Sequence, residues 1–287
     1  MFSVIGTLPF NEMGLKTGRA IFGSGSLKVG DFEVMPSLGT SVMVASACIT
    51  CEALNLEPPY FVTVGDIGDG KGSKKLYQYM AANLAMLDIK VLAMHYIMPD
   101  ISGIKDVLHS LEEKPKEMTL IADAGSMYAA KAAGLSPQFD IFTPDAGEMA
   151  YLADPKATHP AYVQRLLFEI DTSEIITLIK KAYENGNAPK VLLVKGPIDY
   201  IVEEGEVVEA IDEPSISAME PIGGTGDSLT GILSALIYGG LEKLEACIKA
   251  AKINRIAGKL AQPDPSTPVS KIITNIPEAL KEVRLCA

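Results

Sequence analysis

The chain has no tryptophan, three histidines and four cysteines among its 287 residues. Because a zinc site built on histidine needs several such ligands, this scarcity argues against one. Cys48 and Cys51 form a C-x-x-C pair, but they lie in a helix-like run with no second pair or histidine cluster nearby. We expect two small buried residues there rather than a metal or redox centre, which fits a reducing, cytoplasmic setting.

Long apolar runs and an excess of positive charge are also missing. The sequence contains no run of about 18 apolar residues, so no transmembrane helix is predicted. The first residues lack the basic segment of a signal peptide. The formal net charge of −11 argues against partners such as nucleic acid or an anionic membrane surface. Nucleotide binding stays open, because one phosphate site needs only a local field.

Apolar runs of strand length alternate with helical patterns along the chain. This order predicts βαβ units and a mostly parallel sheet, in one domain over residues 1–287. Residues 10–40 are glycine-rich with short alternating pieces, which predicts a small β lid. Because such sheets bind ligands at the carboxyl ends of their strands, the turns that follow the predicted strands are the candidate site. They are residues 65–66, 123–124, 143–145, 195–196 and 223–227.

The most informative stretch is residues 223–227, Gly-Gly-Thr-Gly-Asp, where a loop becomes an apolar helix. Glycine lets the backbone approach a ligand, and the N–H groups and dipole at a helix N-terminus attract an anion. A carboxylate beside a bound phosphate would be repelled, so Asp227 needs a chemical reason to be there. We predict that Asp227 is a general base and that Gly224, Thr225 and Gly226 form an anion hole for a nucleotide.

This loop resembles the GxGD loop of the ribokinase-like superfamily, which comprises sugar and vitamin kinases and the nucleotide-dependent NAD(P)H-hydrate dehydratases. The resemblance implies a three-layer α/β/α fold with a mostly parallel central sheet and a small β lid. It also implies ATP or ADP and Mg²⁺ as cofactors. Asp145 and Glu148 match the family's N-x-x-E element, with Asp replacing Asn, and are the implied magnesium-associated residues.

Three further residues are implied nucleotide contacts. Lys195 and Gly196 end an apolar strand as in the family's turn over the nucleotide, and Asn254 lies on the late helix that packs beside the base. Subunits commonly pair over the cleft in this family, so a homodimer is also an expectation.

The implied substrate contacts are Gly39, Thr40 and His95. Gly39 and Thr40 stand where the family has its substrate-facing glycine pair, although no asparagine follows at the expected place. His95 ends a predicted strand near the expected cleft, where a packed imidazole is the alternative interpretation.

These features predict an ATP-dependent kinase that transfers a phosphoryl group to a hydroxyl of a small sugar-like or vitamin-like molecule. One alternative is an ATP- or ADP-dependent NAD(P)H-hydrate dehydratase, in which phosphorylation activates a hydroxyl for elimination. Residues 143–148, T-P-D-A-G-E, resemble that branch's T-P-H-P-G-E without the histidine, and its G-P-G-L-G turn is missing at residues 94–100. Another alternative is a nucleotide-binding protein without turnover. A Rossmann dehydrogenase is disfavoured, because no G-x-G-x-x-G follows the first strand.

Overall fold

The computed structural model describes residues 1–112, 118–157 and 172–283. Its strands are β1 (Phe2–Leu8), β2 (Lys16–Gly23), β3 (Ser26–Val29), β4 (Phe32–Val34), β5 (Tyr60–Gly65), β6 (Val91–His95), β7 (Thr119–Ala122), β8 (Ile141–Phe142), β9 (Val191–Val194), β10 (Asp199–Glu203) and β11 (Glu206–Ile211). Its helices are α1 (Thr40–Ala53), α2 (Lys71–Asn83), α3 (Ile101–Leu111), α4 (Gly125–Ala132), α5 (Ala146–Ala153), α6 (Thr172–Glu184), α7 (Thr225–Tyr238), α8 (Lys243–Ala261), α9 (Val269–Ile273) and α10 (Ile276–Val283).

The strands form one eleven-stranded sheet in the order β11-β10-β9-β8-β7-β6-β1-β5-β2-β3-β4. From β9 to β5 neighbouring strands are parallel, whereas β10, β11 and β2 to β4 pair antiparallel. The central strands are apolar throughout, as in the Val-Leu-Leu-Val of β9, because helices cover both faces of a parallel sheet. This confirms the predicted α/β class with a mostly parallel centre.

Helices lie on both faces of the sheet, and the side chains of β1 alternate between two apolar cores. Phe2 and Val4 belong to a core that includes α1, α7, α8, α9 and α10, whereas Ile5 belongs to a core that includes α2 to α6. The period of two in a strand sends successive side chains to opposite faces. The result is the three-layer α/β/α arrangement.

The predicted lid region, residues 10–40, contains β2, β3 and β4. These strands pair antiparallel with one another, and β2 pairs with β5, so they extend the central sheet at one edge. Ile21 and Met35 expose large apolar side chains here. That the region closes over the site, and that it pairs two subunits, stay predictions.

Two local features differ from or refine the sequence expectations. Helix α9 was not predicted, because five residues are too few to show a helical period. The sequence pattern predicts a helix from Ser73, but helix α2 begins at Lys71, since Gly70 adopts φ 76° at its start. No helix in the described part of the chain has the length and apolar character needed to cross a bilayer.

Candidate active site

The N-terminus of α7 is an open anion site. Gly224 precedes the helix with φ 95°, in the left-handed region that favours glycine. The first helical bond runs from Ser228 N to Gly224 O at 2.8 Å. Among the described residues no acceptor faces the N–H groups of residues 224–227, so all four can bind an anion.

The carboxylate of Asp227 lies in the first turn of α7 and is held by two donors from other elements. His95 Nε2 lies 2.9 Å from Oδ1, and the backbone N–H of Gly39 donates to Oδ2 at 2.7 Å. Burial acts to raise the pKa of Asp227, but the hydrogen bond and charge of His95, then the charge of Lys195 and the Gly39 N–H, together hold it below its usual value. Asp227 is therefore ionised and oriented.

Lys195, just after β9, forms a buried ion pair with Asp123, just after β7. Its Nζ lies 2.9 and 3.0 Å from the two carboxylate oxygens of Asp123, which also accepts from the Thr230 hydroxyl at 2.7 Å. Burial acts to lower the pKa of Lys195, but the surrounding carboxylates, first Asp123, outweigh it and raise the pKa above its ordinary value. The Lys195 side chain passes 3.4 to 3.5 Å from where a Cβ would stand on Gly226. A fixed cation thus lies beside the anion site.

Glu148 and Asp145 form a capping box at the start of α5. Asp145 Oδ1 accepts from Glu148 N at 2.8 Å, and Glu148 Oε2 accepts from Asp145 N at 2.9 Å. The other Glu148 oxygen accepts from the Tyr128 hydroxyl at 2.8 Å. Burial raises the pKa of Glu148 to about 8, against the opposing charge of Lys195. The box shows that these residues have a structural role, whatever else they bind.

These groups border one cavity of about 560 Å³. It is lined by Asp123, Lys195, Glu148, Asp227, Tyr96 and Asn254 among others. Asn254 donates from Nδ2 to Thr225 O at 3.1 Å, and its buried Oδ1 has no partner among the described residues. That oxygen is available to a ligand that donates a hydrogen bond.

Arg255 shapes the turn at one wall of this cavity. It bonds to Asp199 Oδ2 at 2.8 Å and to the carbonyls of Gly196 and Pro197 at 3.0 and 2.9 Å. With its donors used this way, Arg255 fixes the turn rather than offering a free charge to a ligand.

The structure therefore brings the predicted base, anion hole, magnesium-associated residues and nucleotide contacts to one cavity. The predicted substrate contacts are placed differently: Gly39 and His95 bond to Asp227, and the buried Thr40 bonds to His95. Their direct contact with a substrate stays a prediction. Sequence reasoning did not assign roles to Asp123, Tyr96 or Arg255. For Asp123 a signal existed, since it directly follows an apolar strand.

A family model described as NAD(P)H-hydrate dehydratase matches residues 97–278. The chain belongs to this family. The match spans more than half of the chain and includes α7 and the turns after β7, β8 and β9.

Two relatives illustrate the degree of sequence similarity to this chain. An uncharacterized protein of Methanocaldococcus jannaschii is 44% identical over 239 residues, which are 83% of this chain and 98% of that protein. An ADP-dependent (S)-NAD(P)H-hydrate dehydratase of Cenarchaeum symbiosum is 27% identical over 61% of this chain. The match spans only 55% of that dehydratase's own length.

Solved structures agree on the fold. The ADP/ATP-dependent NAD(P)H-hydrate dehydratase of Bacillus subtilis, co-crystallised with ATP and Mg²⁺, gives a TM-score of 0.55 at 15% identity, over 84% of this chain and 85% of that one. The pyridoxal kinase of Entamoeba histolytica gives 0.56 at 17% identity, over 99% and 96%. The fold is therefore ribokinase-like, as the sequence resemblance implied.

The prediction of a sugar or vitamin kinase as the main function is wrong. The family match and the named dehydratase relatives support an enzyme of the dehydratase branch instead. The error has a reason in the sequence: the GxGD resemblance covers both branches of the superfamily, so residues 223–227 do not separate them. The missing histidine in residues 143–148 does not exclude the dehydratase branch.

Proposed function

We propose that this protein is a nucleotide-dependent NAD(P)H-hydrate dehydratase that uses ADP or ATP. The carrying observation is that the open N-terminus of α7 and the ionised Asp227 face one cavity, in a chain of the hydrate dehydratase family. The substrate is a reduced nicotinamide nucleotide that has added water across a ring double bond.

The phosphate-binding part of the site is built from backbone and one cation. The N–H groups of residues 224–227 would hold oxygens of the terminal phosphate, and the helix dipole adds to their field. Lys195, beside Gly226, neutralises charge on the group in transfer. Asp123 holds Lys195 by an ion pair, and the Thr230 hydroxyl holds Asp123. The charge of Lys195 therefore needs no reorganisation during the reaction.

Asp227 is the base for the hydroxyl of the hydrate. It accepts the hydroxyl proton while the oxygen bonds to phosphorus and the bond from phosphorus to the nucleotide's bridging oxygen breaks. Hydroxide is a poor leaving group, whereas phosphate is a good one. Departure of phosphate, with loss of a proton from the neighbouring ring carbon, restores the double bond and completes the removal of one water.

The donor chemistry at the cavity rim fits a magnesium ion. Mg²⁺ prefers carboxylate oxygens, keeps several waters and commonly binds one or two carboxylates. Asp145 supplies such oxygens, and Glu148 does so in its ionised form, which a bound cation would favour against the effect of burial. When bound, the ion would neutralise phosphate charge near Lys195.

The test is to incubate the protein with Mg²⁺, ADP or ATP and hydrated NADH. We expect recovery of NADH absorbance with stoichiometric release of phosphate and of AMP from ADP or ADP from ATP. The control reaction omits the nucleotide, and Asp227→Asn should remove the signal. Nucleotide binding without NADH recovery would contradict the proposal and favour a nucleotide-binding protein without turnover.

A further inference from the structure

A hydrogen-bonded chain of three side chains leads from the interior to the base. Thr40 Oγ1 lies 3.0 Å from His95 Nδ1, and His95 Nε2 lies 2.9 Å from Asp227 Oδ1. His95 is fully buried and Thr40 is 2% exposed, whereas Asp227 exposes 13% of its side chain. This series of hydrogen-bonded side chains therefore ends at the cavity.

The donor and acceptor roles in this series of hydrogen bonds follow from its two ends. An ionised carboxylate only accepts hydrogen bonds, so His95 must carry its proton on Nε2. In the neutral form of the ring Nδ1 is then an acceptor, to which the Thr40 hydroxyl can donate. Because a hydroxyl can also accept, Thr40 satisfies Nδ1, and Asp227 is the group that requires the Nε2 proton.

The surroundings of His95 reinforce this arrangement. Asp123 Oδ2 lies 3.8 Å from His95 Nε2, beyond hydrogen-bond distance, and is paired with Lys195 Nζ at 3.0 Å. The Tyr96 ring packs on the imidazole with centroids 4.6 Å apart. Tyr96 also covers Gly39, whose Cβ position lies 3.4 Å from its ring. No other charged group in the described residues bonds to the imidazole.

We propose that His95, whose Nδ1 is satisfied by Thr40, is the positioning residue for Asp227 and aims its carboxylate at the substrate hydroxyl. Each Asp227 oxygen receives one donor, from His95 or Gly39, and keeps a lone pair for the substrate proton. The catalytic consequence rests on the proposed dehydratase function, whereas the tautomer does not.

The tautomer is tested without activity. The sequence has three histidines, so ¹⁵N-labelled histidine gives a spectrum that single substitutions can assign. We expect buried His95 of the wild-type protein to hold a proton on Nε2, whereas His109 is exposed and its Nδ1 lies 3.1 Å from Glu112 Oε2. An unprotonated Nε2, or rapid exchange at His95, would overturn the proposal even if the enzyme is a dehydratase.

Activity variants test the positioning. His95→Gln keeps an N–H near the Nε2 position, whereas His95→Phe removes the donor. We expect His95→Phe to lower kcat by roughly 10²-fold, as misplacement of a reacting group does. The acid limb of its kcat/KM profile should move to higher pH, since burial then raises the pKa of Asp227 with less opposition.

Rescue by the conservative variant completes the design. His95→Gln should restore the acid limb and most of the rate, Thr40→Ser should resemble the wild type, and His109→Gln is the matched control. If His95→Phe keeps the wild-type acid limb, or if folded His95→Gln is as impaired as His95→Phe, His95 does not position the base. Absence of dehydratase activity in the wild type would instead refute the proposed function and leave the tautomer measurement to judge His95.

Discussion

At the residue scale, Asp227→Asn separates the base from the binding site. We expect turnover to fall by roughly 10²–10⁴-fold, the usual contribution of general acid–base catalysis. ADP affinity should hold or improve, because a negative charge near the phosphates is gone. Steady-state kinetics and calorimetric titration measure the two quantities.

The matched control for this variant is Asp106→Asn, on the exposed face of α3. An amide has one acceptor and one donor end, so either His95 or Gly39 loses its acceptor when Asp227 becomes asparagine. A modest loss of stability is therefore compatible with the assigned role. Full activity in Asp227→Asn would refute it.

Glu148→Gln tests the raised pKa of Glu148 through stability. The folded protein keeps the proton of this carboxyl up to about pH 8, whereas the unfolded chain loses it near 4.5. The favourable contribution is thus full below pH 4.5 and is lost as the pH rises towards 8. Glutamine keeps the capping box, so without metal the variant should be more stable than the wild type at pH 8 and similar near pH 4.5, as measured by urea unfolding.

The same variant tests the predicted link to magnesium. If Glu148 helps to place Mg²⁺, Glu148→Gln should need more Mg²⁺ for half-maximal rate, and the defect should shrink at high metal. Glu112→Gln, on an exposed residue after α3, is the control. An unchanged magnesium titration would make Glu148 a structural capping residue only.

The role of a residue was predictable only where the other residues of its motif lie close to it in the sequence. Asp227 and the anion hole are contiguous in residues 223–227, and Asp145 and Glu148 share one helix start. The bonds from Asp227 to His95 and Gly39 join residues 132 and 188 positions apart. No local pattern specifies such contacts, so the sequence placed Gly39, Thr40 and His95 near the cleft without their partners.

At the element scale, the glycines at the start of α7 have different reasons to be there. Gly224 has φ 95°, and a Cβ on it would lie 3.2 Å from Val42 and 3.3 Å from Val269. Gly226 is helical, and its Cβ position faces Lys195. We expect Gly224→Ala to lower stability, since a non-glycine residue in such a conformation costs on the order of 1–3 kcal/mol. Gly226→Val should displace Lys195 and abolish nucleotide binding with the fold retained.

Melting curves with and without ADP distinguish these two outcomes. Gly226→Ala is the control, because its single methyl would meet Lys195 at an ordinary contact distance. If Gly226→Val is protected by ADP as well as the wild type, α7 does not bind the phosphates.

Elements were predicted where their period was long or their ends were marked. Glu203-Glu204-Gly205 between two short alternating runs is typical of a hairpin, which β10 and β11 form, and Glu204 and Gly205 adopt φ 50° and 91° there. Helix α7 was predicted because a glycine loop precedes an apolar run. Helix α9 carries neither signal, since Pro268 precedes only five helical residues.

At the scale of the whole molecule, the sequence predicted the layers and the edge that holds the site, because alternating strands and helices leave few topologies. It did not predict the reaction. The GxGD resemblance covers kinases and dehydratases alike, and under the proposed function the two differ in the fate of the phosphorylated hydroxyl. A homodimer stays a prediction.

Nucleotide binding is expected to change the stability of the whole domain. The site joins α1, α7 and the ends of β6 to β9, so a bound nucleotide should stabilise the domain as one unit. A ligand that binds only the native state adds about 2.7 kcal/mol at 100 times its Kd. We expect ADP and ATP with Mg²⁺ to raise the Tm and adenosine to have little effect, because the N–H groups of residues 224–227 bind phosphate rather than base. Asp227→Asn should keep this shift and Gly226→Val should lose it in differential scanning calorimetry. If adenosine stabilises the protein as much as ADP, the open end of α7 is not the anion site.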